Sequence, residues 1–108
     1  MSSLFQEQVR RLTHSHFLVL YWCAQAEDRR VLYNQTNAFD DLKAAGITRT
    51  KQNAMAIVEA LAMLCFIELR TEANRKNLYI TDHGARALEA LVRSGGFTPK
   101  PSIFLEAS

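Results

Sequence analysis

The chain has 108 residues, 48% of them apolar and 22% charged, with a formal net charge of +2. That is enough chain for one self-supporting core without metal or disulfide help, and the composition excludes wholesale disorder. No apolar run approaches the ~20 residues that cross a bilayer, and the longest, FLVLYWCA from Phe17, lacks the flanks of a signal peptide; a cytosolic protein is expected.

Residues 4 to 12 place Leu4, Phe5, Val9 and Leu12 at helical spacing, and the pattern runs on into THSHFLVLYWCAQA. That stretch is apolar nearly all round and reads as a buried helix ending near Glu27. EDRR is a polar turn, VLY (31 to 33) a short strand candidate, and NQTN supplies turn residues. Asn37 is the expected cap of a short helix, AFDDLKAA, with Asp40 near the positive end of its dipole. Gly46 ends that helix in the left-handed conformation.

Thr48 or Thr50 caps the next helix, within ITRTKQNAMAIVEALAMLCFIEL (47 to 69). Its inward face reads Ala54, Ile57, Val58, Leu61, Leu64 and Cys65, at steps of three and four. Its polar residues, Arg49, Lys51, Gln52 and Asn53, are gathered at the N-terminal end. A helix made only for a core has no reason to do this; one whose first turns enter something polar does. The following FIELRTEANRKNLYIT alternates with period two. A turn at Ala73-Asn74 pairs Leu69 with Leu78 and Ile67 with Ile80, putting both apolar pairs on one face of a hairpin. Asn74, Arg75 and Lys76 sit at its tip. Thr81 caps a last helix, DHGARALEALV, with Ala85, Leu88, Leu91 and Val92 inward and SGG as its stop.

Charge is distributed unevenly. Residues 1 to 47 carry five basic and five acidic side chains, and residues 78 to 108 carry three of each. Residues 48 to 77 carry five basic (Arg49, Lys51, Arg70, Arg75, Lys76) against three acidic (Glu59, Glu68, Glu72), so the whole excess lies in that segment.

The element order, helix, small strand, short helix, tight turn, long helix, hairpin, helix, resembles the winged helix-turn-helix fold. RKNLYITDHGARALEAL is similar to the basic wing, strand, LT-x-x-G and helix of MarR-like transcription regulators. DLKAAGITRTKQNAMAIVEALAMLCFIEL is similar to their helix, turn, recognition helix and L-x-x-x-G-[LI]-[IV] exit, with Cys65 where such proteins usually carry glycine. The resemblance covers about residues 37 to 92. It implies an α+β, mainly α chain: a winged helix-turn-helix with a two-stranded wing and flanking N- and C-terminal helices, over residues 1–93, followed by a tail, 94–108.

It also implies sequence-specific binding of double-stranded DNA by a small transcriptional regulator, a repressor by preference. Arg49, Thr50, Lys51, Gln52 and Asn53 are then the major-groove residues, and Asn74, Arg75 and Lys76 the wing contacts. Two other readings stay open: a winged-helix module that docks a protein and not DNA, and a DNA-binding role in plasmid or phage replication or maintenance. An apolar stripe on residues 4 to 12, with Phe97, Ile103, Phe104 and Leu105 in the tail, points to a homodimer joined by the first helix and the tail.

Other constellations carry less. His14 and His16 point about 200° apart on a helix and do not chelate one ion, so no metal and no cofactor are expected. No nucleophile–base arrangement or phosphate loop is legible, so an enzyme is not expected. Cys23 and Cys65 lie in apolar stretches and read as two buried, reduced thiols. Tyr21, Trp22 and Tyr33 read as core; an effector pocket among them is conceivable without being indicated.

Overall fold

A helix that is apolar on every side has to sit at the centre, and the other elements are arranged around one. The computed structural model describes residues 3–107. They form α1 (Leu4–Arg10), α2 (His14–Asp28), α3 (Gln35–Ala44), α4 (Lys51–Met63), β1 (Ile67–Glu72), β2 (Arg75–Ile80), α5 (Asp82–Ser94) and α6 (Ile103–Glu106). The class is α+β, mainly α: six helices and a two-stranded antiparallel sheet among the described residues. No helix of the described residues is long and apolar enough to cross a membrane. α2 buries Phe17, Leu18, Val19, Leu20, Trp22, Cys23 and Ala26, and packs against α3, α4, α5 and β2.

The apolar pattern from Leu4 onward does not make one continuous helix. The chain breaks at Leu12-Thr13, where Thr13 is extended and its N–H donates to His16 Nδ1 at 3.0 Å. His16 therefore helps to start α2, a role that its apolar neighbours concealed. Burial lowers its pKa, which favours the neutral ring that can accept this bond. α1 begins in a reciprocal capping box between Ser3 and Gln6 and rests on the domain through Phe5, whose ring meets His83 at 5.1 Å and Phe66 at 6.4 Å.

Residues 31 to 33 are not a strand. The chain makes one isolated bridge, Asn34 to Asn77, and Leu78 N–H donates to the Tyr33 carbonyl at 2.7 Å. The cap of α3 is Asn34 and not Asn37: the two asparagines exchange bonds, each side-chain oxygen accepting the other's N–H. α3 consequently starts at Gln35, and Asp40 lies beyond its first turn. The acid that matters is its neighbour Asp41, fully buried. Asp41 accepts from the Tyr33 hydroxyl, the Ser102 hydroxyl and the Phe104 N–H. Burial first, and the adjacent Asp41 carboxyl second, raise the Tyr33 pKa, so the phenol stays protonated as a donor.

The tail returns to its own core. Leu105 is 1% exposed, Phe97 stacks on Phe17 and His14, and Trp22 Nε1 donates to the Lys100 carbonyl at 2.8 Å. Lys100 Nζ reaches the Ala45 carbonyl and Arg29 the Leu105 carbonyl. Phe97, Phe104 and Leu105 thus join the core shared by residues 12 to 91. Of the N-terminal and tail apolar residues, Leu4 and Ile103 remain exposed.

In α4, Ala54, Ile57, Val58 and Leu61 are buried, but the helix stops at Met63. Leu64, just past the helix end, stays partly buried against the core, whereas Cys65 leaves that face and is exposed with φ +62, so only Cys23 is a buried thiol. The hairpin has the register the alternation predicts, Leu69 opposite Leu78 and Ile67 opposite Ile80. Its turn residues, Ala73 and Asn74, both have positive φ, as a two-residue hairpin turn that follows strand twist requires.

Thr81 caps α5 by accepting from Gly84 N–H at 2.9 Å, while its own hydroxyl donates to the Cys65 carbonyl. The buried face of α5 is Gly84, Ala87 and Leu91 with Leu88 partly buried; Ala85 and Val92 are exposed. The inward face is set by a residue without a side chain, which a count of apolar residues passes over. A Cβ on Gly84 would stand 1.8 Å from the Phe66 carbonyl oxygen.

Two substitutions follow from these backbone constraints. Gly84→Ala should lower unfolding free energy by about 3 kcal/mol or more, because the clash is with backbone and no rotamer relieves it. Cys65→Gly should raise it by about 0.5–1 kcal/mol, since an exposed side chain is lost and a left-handed residue relaxed. Urea unfolding followed by circular dichroism measures both.

Candidate functional site

Three elements meet at one end of the domain. Lys51 opens α4, Asn74, Arg75 and Lys76 form the hairpin tip, and residues 34 to 37 open α3. Together they line an open, mostly polar groove of about 490 Å³. Lys51, Arg75 and Lys76 are exposed, and among the described residues none of them forms a salt bridge. The positive end of the α3 dipole lies at the same groove, with Gln35 and Thr36 in its first turn, where helix N–H groups lack helical acceptors.

The acids of the hairpin are engaged elsewhere, and among the described residues neither forms a salt bridge with these cations. Glu68 takes Arg70 through two bonds, at 3.1 and 3.2 Å, and that interaction lowers the Glu68 pKa. Arg70 also lies over the Tyr79 ring, 4.5 Å from its centroid. Glu72 stands opposite Arg75 in the ladder but accepts from the Tyr79 hydroxyl and from Asn77 Nδ2, and those bonds lower its pKa. Of the five basic residues between 48 and 77, Arg70 is spent within the sheet. Arg49, Lys51, Arg75 and Lys76 make no salt bridge among the described residues.

The five residues read at the start of α4 fall into two sets. Thr50 is the N-cap, its hydroxyl accepting from Asn53 N–H at 3.2 Å. Asn53 Nδ2 donates to Thr48 Oγ1 at 2.9 Å, and the buried Thr48 hydroxyl donates in turn to the Thr50 carbonyl. Thr50 and Asn53 therefore fix the turn that the others extend from. Arg49, in the turn before the helix, and Gln52, in its first turn, are exposed and do not line the groove. Lys51 does. Asn34, Gln35, Thr36 and Asn37 belong to the groove without having been read as site residues. The spacing of two asparagines three apart, able to cap each other, was the signal that α3 begins there and aims this end at the hairpin tip.

Other candidate chemistry is accounted for structurally. Among the described residues no three His, Cys, Asp or Glu side chains are grouped for a metal ion. His14 bonds the Thr98 carbonyl, His16 bonds Thr13, and His83 stacks on Phe66 at 4.7 Å. Trp22 is in the core, Tyr21 stacks on Phe17, and Tyr33 holds Asp41. Comparison with family models, curated proteins and solved structures finds no match for this chain.

Thr48→Val keeps the shape of this side chain and removes its hydrogen bonds. The expected result is a loss of about 1–2 kcal/mol in unfolding free energy, with a changed Asn53 side-chain amide resonance in the nitrogen–proton correlation spectrum. An unchanged resonance and unchanged stability would show that the clamp does not operate.

Proposed function

We propose that this chain is a winged helix-turn-helix protein that binds duplex DNA sequence-specifically, as a small MarR-like transcriptional regulator. The supporting observation is the groove in which Lys51, Arg75 and Lys76 stand without salt-bridge partners among the described residues, beside the start of α3. In this reading α2, α3 and α4 are the three helices, α4 is the recognition helix and β1–β2 the wing. Arg49, Lys51 and Gln52 face base edges in the major groove, Thr50 and Asn53 hold them in position, and Arg75 and Lys76 meet phosphate. Gln35 and Thr36 bring helix-terminal amides to the backbone on the other side of the groove. A two-fold dimer that sets two copies of α4 about 34 Å apart belongs to this proposal and predicts an inverted-repeat site.

A protein-docking module is the second reading, favoured by a net charge of only +2. The two readings separate in one experiment. Selection from a random duplex pool, followed by fluorescence anisotropy on the enriched sequence, should yield a motif whose affinity falls with salt. Lys76→Ala should weaken all sequences alike and reduce the salt slope by about one unit. Arg49→Ala should lose about 1–3 kcal/mol at a single base position. Absence of enrichment, together with salt-independent binding, would sink the proposal.

A further inference from the structure

A second concavity lies away from the basic groove, between the C-terminal end of α2 and β2. Its volume is about 320 Å³, and Cys23, Ala26, Val31, Tyr33, Leu78 and Tyr79 line it, with Glu27 and Arg30 also contributing. The lining is mainly apolar, and its two tyrosine hydroxyls are already committed. The Tyr33 hydroxyl donates to Asp41 and the Tyr79 hydroxyl to Glu72. Burial raises the Cys23 pKa, so the thiol stays protonated and acts as a small apolar wall. Among the described residues no buried side-chain nitrogen or oxygen lacks a partner. Glu27 and Arg30 are both exposed and opposite in sign, so they give the cavity no net charge.

These features select by exclusion. A charged ligand would lose part of its hydration and find no unspent buried partner, whereas an apolar one gains from leaving water over the face it sets into the cavity. A cavity of about 150 Å³ is known to take benzene, so this one has room for a bicyclic aromatic ring of about ten non-hydrogen atoms. We propose that this cavity is a binding site for a small, uncharged, apolar molecule of about bicyclic-aromatic size. Binding there does not depend on the DNA reading. Any influence on DNA does rest on it, and would pass through the wall that Tyr33 and Leu78 share, since Asn34 beside Tyr33 lines the basic groove.

The test uses indole as the probe with the full chain. Titration followed by nitrogen–proton correlation spectra should show saturable one-to-one binding with a Kd below about 1 mM, with shifts centred on Val31, Leu78 and Tyr79. Ala26→Phe should fill the cavity and abolish those shifts; Val31→Phe fills it from the loop side and serves where the first variant does not fold. Indole-3-acetate and tryptamine should bind at least about tenfold more weakly than indole, through the desolvation of their charge. Absence of saturation at 5 mM (about five times the expected limit), shifts centred elsewhere, or undiminished binding by a folded filling variant would overturn the site. Equal binding of either charged analogue would overturn the ligand class.

Discussion

The carboxyl group of Asp41 is the constraint on which the arrangement of the domain depends. It is fully buried, and the three groups it accepts from belong to two separate stretches of chain: Tyr33 before α3, and Ser102 and Phe104 at the start of α6. A carboxyl group left without donors in such a place costs several kcal/mol, so the three contacts are required together. Tyr33 is held at both ends, by its hydroxyl on Asp41 and by its carbonyl on Leu78 N–H. The start of α3 is thereby fixed relative to the hairpin, and the groove between them inherits its width from a contact in the interior.

The same economy governs charge. Net charge says little about this chain, because the basic excess is small and its meaning depends on which acids are already occupied. Glu68 and Glu72 are both drawn into the sheet, by Arg70 and by Tyr79 with Asn77. Arg70 balances Glu68, while Glu72 keeps its charge and is hydrogen-bonded within the sheet, so among the described residues neither acid forms a salt bridge with the cations at the tip. Exposed pairs of this kind contribute little to stability; here their effect is on where positive potential appears.

The parts of the fold that were legible in the sequence are those governed by local periodicity or by one residue's backbone preference. Alternation fixed the partners of Ile67 and Leu69, Gly46 has the left-handed conformation expected of it, and Thr81 caps α5. The misreadings share a physical cause, which is that a polar group was satisfied by something distant or unexpected. The break at Thr13 rests on a histidine ring nitrogen, and α3 starts at Asn34 because two asparagines cap each other. The tail is held by a buried acid 61 residues away. Cys65 misled in another way: its apolar surroundings suggested burial, while its position after a helix imposed a left-handed turn that points it to solvent. Of the groove, the cations at the start of α4 and at the hairpin tip were legible from charge alone. The contribution of α3 was not, because it depends on where that helix begins.

The long reach of the Asp41 contacts has a consequence for the order of events in folding. α2, α3, α4 and the hairpin are assembled from neighbouring segments and can associate early, at small cost in loop closure. Until residues 102 to 104 arrive, however, the site that Asp41 must occupy offers it only the Tyr33 hydroxyl. Without residues 100 to 104, Asp41 keeps one of its three donors and the Trp22 indole N–H loses its acceptor. Docking of residues 100 to 104 therefore closes the interior, and it does so across a long loop of chain.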